Sequence, residues 1–82
     1  MTEPKTISEL MKLVMEESKK GNTNNAIIYL NEAIEIEPNN ARYYKRRAYA
    51  KRKLGDNEGA DEDDKKAEVG IKWRKKIVMQ ED

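Results

Sequence analysis

The 82-residue chain predicts an all-α fold of antiparallel helical hairpins. Three observations carry this expectation. Apolar residues recur at spacings of three and four. No segment alternates apolar and polar residues with the period of two that a half-buried strand needs. Glycine and proline fall between the periodic segments, where helices stop.

Residues 1–5 read as a short disordered lead. "TISE" then supplies a capping box, with Thr6 accepting from the Glu9 backbone and Glu9 reaching back. Ile7, Leu10, Leu13 and Val14 follow at helical spacing, so the first helix should run over about 7–20. "KKGNTNN" stops it, with Gly21 free to adopt the left-handed conformation that closes a helix. The second helix should start near Thr23, carry Ala26, Ile27, Leu30, Ala33, Ile34 and Ile36 as a broad apolar stripe, and end at Pro38. The third should start at Asn40 or Ala41 and end at "LGD", with Tyr44, Ala48 and Leu54 as a thin apolar side and Gly55 as the second closing glycine. The fourth should start after Asp56 or Asn57 and bury Ala60, Ala67 and Ile71. Its acids come early and its bases late, as the helix dipole favours. One extended last helix is expected, the alternative being a kink or break at Gly70, since a lone interior glycine costs only about 1 kcal/mol.

Composition bounds the chemistry. The chain is 40% charged but nearly neutral, at +1. The overall balance therefore points neither to nucleic acid nor to a membrane, and only local charge can do so. Without Cys or His, the chain lacks thiolate nucleophiles and the commonest general base and transition-metal ligand. No nucleophile–base pair or phosphate-cradling glycine loop is present either, so an enzyme and a bound cofactor are not expected. "DEDD" at 61–64 points its acids in different directions and lacks the glycine-centred loop of calcium sites, so it reads as dipole complement and salt-bridge partners. The N-terminus has no apolar signal core, and no apolar run approaches membrane-spanning length. A soluble chain of the reducing cytoplasm is expected. The starting Met and the tail read as a complete small protein.

The second half echoes the first at a spacing of 34, pairing Lys19 with Lys53, Gly21 with Gly55, Ala26 with Ala60 and Ala33 with Ala67. Alanine at such positions lets two antiparallel helices approach closely. In this period and in its residues the chain resembles the tetratricopeptide-repeat family. In "GNTNNAIIYLNEAIEIEPNN" the residues Gly21, Ala26, Leu30, Ala33 and Pro38 fall on signature positions. In "YYKRRAYAKRKLGD", Tyr44, Ala48 and Gly55 do so. The resemblance covers residues 7–71. It implies a short right-handed solenoid, with a first repeat at 7–38, a second at 41–71 and a capping extension at 72–82, the whole of 1–82 being one domain.

The departures from the family pattern concern the second hairpin. Asp61 and Asp64 stand where many members are apolar, Lys51 replaces an aromatic, and Lys72 replaces the closing proline. Some members pair an Arg like Arg47 with an Asp like Asp63, so a structural Arg47–Asp63 salt bridge is expected, with Lys51 facing Asp64. The second hairpin should be the softer one, steadied by Ile71, Trp73, Ile77 and Val78.

Residues 41–56 carry seven Lys or Arg side chains before their first acid, Asp56. The family's first helices line the concave face of the array. The resemblance therefore turns Arg42, Lys45, Arg46, Tyr49, Arg52 and Lys53 inward, beside Met11, Met15 and Lys19 of the first helix. Methionine offers adaptable apolar contact. Arg and Lys offer charge-assisted hydrogen bonds to carboxylates. The expected function is a non-enzymatic protein-interaction module, a small adaptor whose partly basic groove suits an acidic peptide or a C-terminal carboxylate. A chaperone-tail clamp is not expected, because its Lys and Asn positions align with Met11 and Met15, its second-repeat Asn with Arg46, and the third repeat is missing. Three alternatives stand beside this reading. The same basic helix could bind RNA or another polyanion, with Tyr49 stacking, though the acids of the fourth helix disfavour this. Two repeats could self-associate as a homodimer. Or the cations could form a solvated face balanced by the acids of the fourth helix.

Overall fold

The computed structural model describes the backbone of residues 5–79 and the side chains of residues 5–69. Four helices follow one another: α1 (Ile7–Lys19), α2 (Thr23–Ile36), α3 (Ala41–Lys53) and α4 (Asn57–Met79). Each packs against its neighbour in sequence, α1 on α2, α2 on α3, α3 on α4. Short connections force neighbouring helices antiparallel, giving two stacked hairpins.

The helix ends are built locally. Thr6 Oγ1 accepts from the Glu9 backbone N–H at 3.2 Å, and Glu9 Oε1 accepts from the Thr6 N–H at 3.3 Å. Asn40 caps α3 by accepting from Arg42 N–H at 3.0 Å, and Asp56 accepts from Gly59 N–H, also at 3.0 Å. Both hairpin turns close alike. Gly21 and Gly55 hold φ of 82° and 86°. The residue after each glycine bonds back to a helix carbonyl, Asn22 to Glu17 at 2.8 Å and Asp56 to Lys51 at 2.9 Å. This is the Schellman closure, and it needs a residue that tolerates positive φ.

The core lies in the first hairpin and its junction with α3. Leu10 and Val14 of α1, Ala26, Leu30 and Ala33 of α2 and Tyr43 of α3 form one buried cluster, with Ile7, Met11, Tyr29 and Ile34 packed around it. Apart from Tyr43, which faces α2, the described residues of the second hairpin bury Ala48, Ala50, Ala60 and Ala67, together with Asp63. The repeated alanines 26, 33, 60 and 67 are all fully buried, so the helices of each hairpin approach closely.

Three expectations are corrected. Leu54 and Ile36 are about half exposed, at 48% and 52%, and belong to no core face. Tyr43 and Ala50 are buried instead, because α3 packs against α2 as well as α4. A helix with neighbours on two sides buries two stripes, and the sequence pattern suggested one. Tyr44 is half-buried, with its hydroxyl donating to the Pro38 carbonyl at 2.7 Å, while the Tyr43 hydroxyl donates to Glu37. The two tyrosines thus tie the start of α3 to the end of α2. Helix α4 runs unbroken through Gly70 to Met79. The side chains of Ile71, Trp73, Ile77 and Val78 lie outside the described residues.

Candidate functional site

Helix α3 directs its cations in three ways. Arg47 and Lys51, one turn apart, point to α4. Arg47 Nη2 and Nε donate to the two oxygens of Asp63 at 2.7 and 2.9 Å, a two-pronged bond that fixes the carboxylate plane. Lys51 Nζ reaches the same carboxylate at 3.1 Å. Lys51 therefore faces Asp63, not Asp64 as the sequence suggested. Arg47 Nη1 also donates to Asn31 of α2 at 2.9 Å, which joins three helices through one guanidinium.

The Asp63 side chain is 1% exposed. Burial pushes its carboxyl up, but the hydrogen bonds and charges of Arg47 and Lys51 outweigh burial and hold it below the usual carboxylate range. The hydrogen bond to Asp63 pushes the Arg47 guanidinium up, against the opposing effect of burial. The Tyr44 ring meets both Arg47 and Lys66, whose cationic centres lie 5.5 and 5.9 Å from its centroid.

Arg52 turns another way. It reaches both Asp64, at 2.6 Å, and Asp61, at 2.9 Å, on the first turns of α4. Those two hydrogen bonds push its pKa up. Arg52 was expected in the groove, and this is a correction: acids of the same molecule occupy it. Three of the four "DEDD" acids thus have basic partners on α3: Asp63 turns inward to Arg47 and Lys51, and Asp61 with Asp64 turns toward Arg52.

The third direction opens on a cleft of about 320 Å³ between α1, α2 and α3. Val14, Ala26, Leu30 and Ala50 line its floor, and Ser18, Thr23, Lys45, Arg46, Tyr49 and Lys53 its rim. Among the described residues, Lys45, Arg46 and Lys53 have no ion-pair partner. Tyr49 is 64% exposed, and the Lys53 ammonium lies 5.0 Å from its ring centre. Four of the nine groove residues expected from sequence therefore come together: Lys45, Arg46, Tyr49 and Lys53. The others do not line the cleft. Met11 packs against the core, and Met15, Lys19 and Arg42 are exposed outside it.

The apolar floor was missed by sequence reasoning. Ala26 and Leu30 lie one turn apart on α2, so helical spacing alone could have grouped that pair. Which pairs face a shared hollow depends on how the helices stack, which spacing does not carry.

Among the described residues, no helix is long and apolar enough to cross a membrane. Residues 10–40 match a family model described as tetratricopeptide repeat. No curated protein and no solved structure matches the chain. The matched stretch spans most of α1, all of α2 and the turn into α3, and the chain goes on to pair α3 with α4 as it paired α1 with α2. The match covers 31 of the 82 residues, and the all-helical hairpin architecture that continues it is similar to that of a tetratricopeptide-repeat solenoid.

Proposed function

We propose that the chain is a non-enzymatic adaptor that holds an acidic segment of another protein in the cleft between α1, α2 and α3. The repeat family is one of protein-interaction modules, which supports the general class. The observation that carries the finer reading is the cleft rim, where Lys45, Arg46 and Lys53 have no acidic partner among the described residues. Like charges on one helix repel, by amounts comparable to the gain from an opposite-charge pair. An anionic partner relieves that repulsion and gains charge-assisted hydrogen bonds. Residues 7–38 and 41–71 serve as two repeats in this reading, with 72–82 as their cap. A chain without cysteine suits the reducing cytoplasm as its place of work.

A nucleic acid is the weaker partner. A long polyanion lying on α3 would meet the exposed acids Glu58, Asp61, Glu62 and Glu68 of α4, whereas a short acidic peptide would not extend that far. Competition at physiological salt separates the two. A labelled acidic peptide should be displaced by unlabelled peptide and not by a single-stranded oligonucleotide of equal charge. The variant Lys45→Glu, Arg46→Glu, Lys53→Glu should lose the peptide while keeping its helical circular dichroism. Undiminished binding by that variant removes the cleft from consideration.

A further inference from the structure

Charge and shape divide the cleft. Its floor, Val14, Ala26, Leu30 and Ala50, is buried and offers no side-chain hydrogen bond. A carboxylate seated there would lose its hydration without compensation. Along α3 the rim cations follow in order, Lys45 and Arg46 first and Lys53 about two turns later, with Tyr49 between them on the same side of the helix. Eight residues separate Lys45 from Lys53, a rise of about 12 Å along the helix. A volume of about 320 Å³ lies at the small end of ligand pockets, which run from roughly 300 to 1,000 Å³. It has room for a side chain or two.

Building on the acidic-segment reading above, we propose that the cleft selects an internal segment with an aliphatic side chain over the floor and a carboxylate on either side of it. An extended chain advances about 3.3 Å per residue, so about four residues span the distance from the first rim cations to the last. The acids therefore fall two residues before and two residues after the aliphatic anchor. A free C-terminal carboxylate satisfies one end of that row only.

Fluorescence anisotropy of the full chain with three capped peptides tests this. The first has a central Leu with Asp two residues to each side. In the second, Ser replaces the Leu. In the third, both Asp residues lie on one side of the Leu. The Ser peptide should bind about 10- to 100-fold more weakly, the loss expected for leaving one Leu side chain unburied. The one-sided peptide should bind about two- to fivefold more weakly, the scale of one rim ion pair. The variant Ser18→Leu fills the cleft from its rim without changing charge, and should erase the preference for Leu over Ser while still binding both. Equal affinity for the Leu and Ser peptides overturns the anchor but leaves an acidic-segment site standing. Equal affinity for the one-sided peptide overturns the bracketing charges. Failure of every peptide to bind at physiological salt overturns both readings together.

Discussion

The two hairpins share one backbone plan and hold together by different chemistry. Between α1 and α2 lie Leu10, Val14 and Leu30, each buried to 3% exposure or less. Full burial of such a side chain contributes roughly 1.5–3 kcal/mol. Between α3 and α4 the buried apolar residues, among those described, are alanines, and the larger groups are Arg47, Lys51 and Asp63. The contrast is sharpest at one repeat position: Leu30 of α2 is core, and Asp64, 34 residues later, is a half-exposed partner of Arg52. The backbone closure at Gly21 and Gly55 is the same in both. A helical hairpin can thus keep its turns and its small-residue contacts while exchanging an apolar interior for an ionic one. The exchange should make the second hairpin sensitive to pH.

Asp63 offers the strongest test of that contrast. Replacing it with Asn leaves Arg47 and Lys51 facing a neutral group, and breaking a buried pair by removing one partner costs about 3–5 kcal/mol. Urea unfolding of Asp63→Asn at pH 7 should show a loss of that order. The pH dependence has a definite sign. The folded carboxyl titrates below its unfolded value of about 3.9, so around and below that pH the unfolded chain binds more protons than the folded one. The stability Asp63 contributes is complete well above pH 4 and drains away as pH falls through the folded value. The gap between wild type and variant should therefore narrow on acidification. A gap of equal size at pH 7 and pH 2 would show that the carboxylate charge is not what Arg47 and Lys51 hold.

The apolar hairpin should respond to size and not to pH. Leu30→Ala removes a fully buried side chain and should cost about 2–5 kcal/mol, by equilibrium unfolding, equally at pH 7 and pH 4. Asp64→Ala, at the equivalent place in the second hairpin, should cost far less, since among the described residues that half-exposed carboxylate pairs with Arg52 alone. Similar losses at the two positions would mean that the hairpins are stabilised alike, against the contrast drawn from their interiors.

Much of this division was legible in the sequence. Helix boundaries followed from Thr6, Gly21, Pro38 and Gly55, because caps and left-handed glycines are local chemistry, decided within a few residues. The four alanines at a 34-residue spacing marked both hairpins. What sequence left open was direction around α3. Tyr43 and Tyr44 are adjacent and equally aromatic, yet Tyr43 enters the core cluster and Tyr44 meets Arg47 and Lys66. A rotation of about 100° per residue separates them, and only the placement of α2 and α4 decides which of them is buried. The same holds for the cations. Arg52 and Lys53 are neighbours in a basic run, but Arg52 meets Asp61 and Asp64 while Lys53 stands at the cleft beside Tyr49. Only acids contributed by a different helix distinguish them.

The turns supply a smaller and more even effect. A Cβ at Gly21 or at Gly55 would meet nothing within 4 Å, so alanine there pays only for the left-handed backbone. That conformation costs a non-glycine residue roughly 1–2 kcal/mol. Gly21→Ala and Gly55→Ala should lower the thermal midpoint by similar amounts. If the two variants diverge widely, the turns themselves differ, and the contrast between the hairpins no longer rests on their interiors alone.

The smallest expected effect separates the buried ion network from the exposed one. Arg52 and its two acids are open to water, so added salt screens them within a Debye length of about 3 Å at 1 M. The Asp63 carboxylate is enclosed and escapes most of that screening. Arg52→Gln should therefore differ slightly from wild type in dilute buffer and not at all in 1 M sodium chloride, whereas the deficit of Asp63→Asn should persist in both. Thermal unfolding of the two variants across a salt series reads this directly. If salt rescued Asp63→Asn as fully as Arg52→Gln, water would be reaching Arg47 and Lys51 freely. The second hairpin would then have no ionic interior, only two surface clusters on either side of a row of alanines.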